Sequence, residues 1–309
     1  MIGLTELGIV RMRGPDVVPF LQGQLSADVE QLSSERSLLA GYHNPQGRAI
    51  ALLRLIQLAE QDFLAVVPRE LAGAVAGRLS RYILRSKVKV VAELDDWRIS
   101  GLVGGGEQRA GALPGALHAL NRAGECLLVQ VGQGEQRWLL VRPADEAAPE
   151  LGFEVSAAAN PAARWQRLEV ADGLPQIYAA TSEQFVAQML NLDALGAIAF
   201  EKGCYTGQEV IARAHYRGRV KRRMQRFVTR APGRLSPGDS GQLPDGRSFK
   251  VVLAATLEDG RCDFLAVTAM PGSPGSAPDP QQLPASEPGP AEAATVLADP
   301  APLPYTLPE

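Results

Sequence analysis

Two dense apolar runs, Leu38 to His43 and Ala49 to Leu58, flank the tetrapeptide Asn44-Pro45-Gln46-Gly47. A turn of that composition between two such runs predicts a pair of strands, and the continuous apolar character predicts burial on both faces. Further strands are expected at Leu4 to Arg13, Phe63 to Val67, Lys87 to Ala92, Trp97 to Val103, Leu127 to Val131 and Trp138 to Arg142. Gly14-Pro15-Asp16 breaks the first of these, and Val17 to Leu21 starts a short helix with a proline suited to its first turn. Between Arg69 and Arg85, Leu71, Val75, Leu79 and Ile83 recur four apart, while Arg78, Arg81 and Arg85 fall between them. That is the pattern of an amphipathic helix with a solvated basic face. The alternation of strands and helices over the first two hundred residues points to an α+β or α/β body.

From Met224 the pattern changes to short strands, Met224 to Thr229, Ser248 to Ala255 and Cys262 to Met270. Leu235-Ser236-Pro237-Gly238-Asp239 and Pro244-Asp245-Gly246 separate them, and a small antiparallel β-barrel is expected. Pro271 to Pro290 is rich in Pro, Ser, Gly and Ala, as in a disordered segment, whereas Pro302 to Pro308 regains apolar character that suits docking on the body. The expected organisation is a body over 1–223, a barrel over 224–270, a disordered segment over 271–292 and a docking segment over 293–309.

Composition narrows the class. The 309 residues are 46% hydrophobic and 21% charged, the balance of a soluble globular protein, and a net charge of −3 supplies no global attraction to nucleic acid or membrane. No apolar run is long enough to predict a membrane span, and Met1-Ile2-Gly3-Leu4-Thr5-Glu6 does not have the form of a secretory signal. The three cysteines, Cys126, Cys204 and Cys262, form no CxxC pair; an odd count without framework spacing fits a reducing compartment, hence a cytoplasmic protein. Gly104-Gly105-Gly106 has no following Gly-Lys-Ser/Thr and reads as a flexible loop rather than a phosphate cradle.

The candidate chemistry centres on Glu201-Lys202-Gly203-Cys204-Tyr205-Thr206-Gly207-Gln208-Glu209. Thr206 and Glu209 have capping-box spacing, Val210, Ile211 and Ala214 give the ensuing helix an apolar side, and Gly218 suits its end. A thiol just ahead of a helix N-terminus, with Lys202 and Arg213 near it in sequence, is in surroundings that lower its pKa. The competing reading makes Cys204 a small buried hydrophobe. Between Glu209 and Asp239 no acidic residue occurs, against nine basic ones: Arg213, Arg217, Arg219, Lys221, Arg222, Arg223, Arg226, Arg230 and Arg234. Such a stretch suits RNA phosphates, the carboxylates of a polyglutamylated ligand, or an ordinary basic surface.

Lys202 to Glu209, followed by Ala212-Arg213 and Arg217-Gly218, resembles the signature of the YgfZ family, folate-binding proteins related to the T-protein (aminomethyltransferase) of the glycine cleavage system. Phe20-Leu21-Gln22-Gly23 leading to Asp28, Trp165 to Gly173-Leu174-Pro175, Gln184 to Asp193, and the last residues resemble that family too. The resemblance implies an α+β fold, with a T-protein-like folate-binding body of two lobes and the small C-terminal barrel. It implies tetrahydrofolate, or a one-carbon-substituted folate, stacked near Trp165, with further contacts from Tyr205, Gln208, Glu209 and Arg213. It implies Cys204 as the functional thiol with Lys202 as its activator, and iron–sulfur enzymes, including tRNA-modifying ones, as clients; the three scattered cysteines supply no complete resident metal site.

The sequence departs from the family in three places. Leu7 stands about where a second folate-contacting tryptophan is expected, and Ala187 where a proline is common. In T-proteins the hairpin carries a catalytic aspartate soon after its turn, whereas here Gln46-Gly47-Arg48-Ala49-Ile50-Ala51 holds no carboxylate. That speaks against the alternative of a one-carbon (aminomethyl) transferase. The other alternative is a direct tRNA-binding module using Arg213, Arg217, Arg219, Lys221, Arg222 and Arg223.

Overall fold

The structure, a computed structural model, describes residues 1–104, 113–132, 134–153, 161–218, 220–270 and 295–308. The expectations for Gly105 and Gly106, Arg219 and the 271–292 segment lie outside the described residues. Among the described residues there are three sheets of five strands, with antiparallel neighbours throughout.

The N-terminal sheet runs in the order Leu38–His43, Ala49–Ala59, Asp62–Pro68, Leu7–Arg13, Lys89–Glu93. The expected hairpin is present: Tyr42 pairs with Ala51, a register shift follows at His43, and Gly47 takes φ 69° in the turn. Leu38–His43 is buried along its whole length, as continuous apolar runs require. The helix Arg69–Ser80 covers this sheet through Leu71, Val75 and Leu79; it stops short of Arg85, leaving Tyr82 and Leu84 exposed. The middle sheet runs Ile2–Gly3, Trp97–Val103, Arg137–Pro143, Cys126–Gln130, Leu120–Ala123. Ile9, Ile56, Leu64 and Val66 of the first sheet share one apolar core with Ile99, Leu127, Val129, Leu139 and Val141 of the second. Trp165, from the helix Pro161–Ala171, completes that core.

The third sheet corrects the expected barrel. Its order is Ser240–Gln242, Ser248–Thr256, Cys262–Ala269, Arg222–Thr229, Ala298–Ala301, and it stays open. Its first strand has three residues and, among the described residues, meets the far side through one parallel bridge, Gln242 to Thr295, too little for a second ladder. The strand Ala298–Ala301 comes from beyond the Pro-rich segment. After it the chain docks on the body: Tyr305 donates its hydroxyl to the Gly173 carbonyl at 2.7 Å, and Leu303 and Tyr305 pack on the main core.

Candidate functional site

A small, partly open cavity of about 40 Å³ lies where the first two sheets meet the helix Pro161–Ala171. Leu7, Leu39, Leu52 and Val66 supply one apolar side, Val131 and Leu139 another, and Leu174, Pro175 and Gln176 close it. Trp165 and Glu169 both line it, as residues four apart on one helix must share a face. The indole is only 2% exposed. It lies against Gly101, where a Cβ would collide with the ring, and the Arg137 guanidinium sits 4.8 Å from its centroid. Arg137 is itself buried and paired with Asp172 at 2.8 Å. Trp165 is therefore a wall packed from behind rather than an open stacking plate.

Two charged groups enter this apolar space. Burial pushes the Glu169 carboxyl up to about 7, against the pull of Arg137, the Trp165 indole and Arg54. Arg54, 6% exposed, is the one charged residue of the strand Ala49–Ala59 and lines both the cavity and a smaller adjoining space that reaches His118, Asp172 and Leu195. Its Nη1 meets His118 Nδ1 at 2.8 Å and donates to Ser37 Oγ at 3.4 Å. Burial and the neighbouring arginines pull the His118 pKa down to about 3, so its Nδ1 accepts. The cavity floor is braced by the chain's end, because Tyr305 holds Gly173, which has φ 62° just before Leu174.

The cysteine motif stands elsewhere. Cys204 is exposed, Cys126 and Cys262 are buried, and all three are free thiols. The helix begins at Gln208 behind Gly207, whose φ is 85°, and makes no side-chain cap. The expected capping box between Thr206 and Glu209 does not form; Glu209 pairs instead with Arg213 one turn on, at 2.8 Å. Gly207 is required here, since a Cβ would lie 2.5 Å from the Asn44 carbonyl oxygen, which seats the motif on the hairpin turn. Lys202 donates to the carbonyls of Leu25 and Ala27 at 2.8 and 2.7 Å and lies 5.3 Å from the Tyr205 ring centroid. Burial draws its pKa down to about 8. No hydrogen bond joins it to Cys204: a half-buried ammonium is satisfied by carbonyls, and Lys202 anchors the loop to the segment ending at Asp28. Asp28 in turn caps the short helix Val29–Gln31 and accepts from Gln22.

Four of the eight described cations of the basic stretch are paired within the protein. Arg213, Arg226 and Arg230 pair with Glu209, Asp263 and Asp299. Arg223 is buried, pairs with Asp193 at 2.9 Å and bonds the Gln188 carbonyl, so it is no surface contact for tRNA. Arg222 is partly buried and donates to Ser248, while Arg217 and Lys221 are exposed. Beside the motif, Phe200 stacks on His215 at 3.7 Å, and Tyr216 is 61% exposed. Among the described residues no group of three or more His, Cys, Asp or Glu is placed to hold a metal ion. None of their helices is long and apolar enough to cross a membrane.

No protein-family model matches the chain. The tRNA-modifying protein YgfZ of Pectobacterium carotovorum subsp. carotovorum (strain PC1) is 34% identical over 279 residues, covering 86% of this chain and 83% of the relative. The tRNA-modifying protein YgfZ of Enterobacter sp. (strain 638) is 35% identical over 274 residues, covering 84% and 82%. The chain belongs to the YgfZ family. Its fold is similar to that of the glycine cleavage system aminomethyltransferase T from Bartonella henselae, with a TM-score of 0.66 at 18% identity over 87% of this chain and 77% of that one.

In this YgfZ-family chain the fold brings Leu7 and Trp165 to one cavity. Lys202, Cys204, Tyr205, Gln208, Glu209 and Arg213 form a second constellation, and none of the six lines that cavity. Glu169, Arg54 and His118 escaped sequence reasoning. Glu169 was signalled by its spacing from Trp165, and Arg54 by its position as a charge inside a buried strand; His118 carried no local signal.

Proposed function

We propose that this protein binds tetrahydrofolate or a one-carbon-substituted folate in the central cavity, and that it uses the Cys204 thiol to support iron–sulfur enzymes, tRNA-modifying ones among them, in the cytoplasm. The observation that carries the folate reading is the convergence of Leu7, Trp165, Glu169 and Arg54 on one apolar cavity of a T-protein fold. A flat heteroaromatic ring with donor and acceptor edges fits apolar walls carrying one acid and one cation. Tyr205, Gln208, Glu209 and Arg213 act on the cysteine turn in this reading rather than on the ring. The thiol reading is supported by exposure, since Cys204 alone of the three cysteines meets solvent on a turn held by Lys202 and Gly207. The iron–sulfur clients rest on the family resemblance. The body over 1–223 would carry both sites, with the C-terminal sheet and tail as its brace.

Titration with tetrahydrofolate and its 5-formyl and 5,10-methylene forms, followed by tryptophan fluorescence, is expected to saturate. No one-carbon transfer from an aminomethyl donor is expected, because Ala49, Ile50 and Ala51 are buried and uncharged where T-proteins place the catalytic aspartate. One observation favours the transferase as a second reading: Glu169, with its pKa near 7, is poised for proton transfer at neutrality. Turnover that disappears in Glu169→Gln would establish it. Direct tRNA binding has the exposed Arg217 and Lys221, the exposed Arg213 in its surface pair with Glu209, and the half-buried Arg222 as its described cations, and a salt-dependent tRNA shift weakened at those positions would support it.

A further inference from the structure

Of the three fully buried arginines among the described residues, two meet a carboxylate: Arg137 meets Asp172 and Arg223 meets Asp193. Arg54 is the exception. It pairs with no carboxylate among the described residues, and its guanidinium forms hydrogen bonds only through Nη1, to neutral His118 and to Ser37. The opposite charge that acts on it is Glu169 in the same cavity, which forms no salt bridge with it; a buried cation without a direct partner is costly, and the remaining N–H groups belong to a residue that lines the cavity. The cost is offset if a bound molecule brings acceptors to it.

We infer that Arg54 is a specificity-determining residue of the cavity, donating to the ring carbonyl of a lactam-bearing heterocycle, the C4 oxygen of a reduced pterin. The assignment rests on the folate reading above and adds to it the group that is recognised. A ligand carboxylate is the poorer occupant, because Glu169 shares the cavity and would repel it. A neutral ring that presents a carbonyl acceptor to Arg54 and N–H donors to Glu169 matches both groups at once. Replacing the ring carbonyl by an amino group turns acceptor into donor and sets it against the guanidinium.

The test compares tetrahydrofolate with its 4-amino counterpart on the full chain, wild type and Arg54→Met, by calorimetry. The expected result is that the ratio of 4-oxo to 4-amino affinity falls at least about tenfold in Arg54→Met, the worth of a hydrogen bond from a charged donor. Arg54→Lys, which keeps the charge and loses the planar fork, is expected to fall between the two. Thermal unfolding of the unliganded proteins provides the control: Arg54→Met is expected to melt no lower than wild type, since it removes a buried charge that has no salt-bridge partner. If it does not fold, Arg54→Lys carries the comparison. A ratio unchanged within twofold in a folded variant, with or without loss of stability, overturns the inference and leaves folate binding standing. Failure of both ligands to bind the wild type overturns the folate reading, and the inference with it.

Discussion

The cavity and the cysteine turn are built on opposite plans. The cavity draws Leu7, Leu39, Arg54, Val131 and Trp165 from positions spread over more than half the chain, and its properties come from burial. The cysteine turn is a single run of residues whose thiol faces solvent. Burial moves the groups of the first far from their ordinary behaviour: Glu169 rises to about 7 and His118 falls to about 3. In the second, exposure leaves the thiol to be governed by the backbone that presents it. A site of the first kind is broken through packing and charge, and one of the second kind through geometry.

The largest effect is expected from Trp165→Ala. The indole belongs to the core between two sheets and lies against Gly101, so its loss should cost about 3–5 kcal/mol in urea unfolding. A cost below about 1 kcal/mol would mean that the ring serves ligand alone and that the cavity is not continuous with the core.

The next effect is a pH dependence. Glu169 has a folded pKa near 7 against an ordinary value of 4.5, so the folded chain holds a proton that the unfolded chain has released. The corresponding stability is fully present below pH 4.5 and is lost as pH rises through 7, by on the order of 3 kcal/mol at the scale of 1.4 kcal/mol per pH unit. Melting temperature measured from pH 5 to 8 should therefore fall more steeply in wild type than in Glu169→Gln. Parallel curves would show that the carboxyl is solvated and that the cavity lacks the low polarity assigned to it.

A smaller change probes the cysteine turn. Gly207→Ala puts a side chain on a backbone at φ 85° and within 2.5 Å of the Asn44 carbonyl oxygen. The left-handed conformation alone costs about 1–2 kcal/mol, so a loss of about 2 kcal/mol is expected in the same unfolding assay. Gly203→Ala, where a Cβ meets nothing, should be close to neutral. Equal behaviour of the two would detach the motif from the hairpin.

Sequence patterns anticipated what is local. The hairpin around Asn44 to Gly47 and the strand Trp97–Val103 follow from apolar runs and turn residues. Trp165 and Leu7 were named through the family resemblance, and the fold sets both on the cavity wall. What escaped depends on distant partners. The capping box failed because Glu209 found Arg213 and Gly207 took the cap position against Asn44. The basic stretch lost much of its charge to Asp193, Asp263 and Asp299, residues 30 to 69 positions away. The barrel stayed an open sheet because its edge strand is too short to close it. Arg54 acquires meaning only once the strand around it is known to be buried and its direct hydrogen-bond partners to be His118 and Ser37.

The smallest structural effect is expected where the functional effect is proposed to be greatest. Cys204→Ser changes one exposed atom and removes no hydrogen bond or packed contact of the described structure, so its unfolding free energy should stay within about 0.5 kcal/mol of wild type. Iodoacetamide should label Cys204 ahead of Cys126 and Cys262, since the latter two are buried and the Cys262 Sγ lies 3.1 Å from the Gly233 carbonyl oxygen. Folate affinity should not change, because Cys204 does not line the cavity. Cells lacking the native protein should nonetheless fail to recover iron–sulfur enzyme activity with Cys204→Ser, while Cys126→Ser and Cys262→Ser restore it. Lys202→Met refines the comparison: it frees the Leu25 and Ala27 carbonyls and should loosen the turn, lowering both stability and complementation. Full complementation by Cys204→Ser would take the thiol out of the function and leave the turn, with its lysine anchor and its seat on the hairpin, as a purely structural link between the hairpin and the helix Gln208–Tyr216.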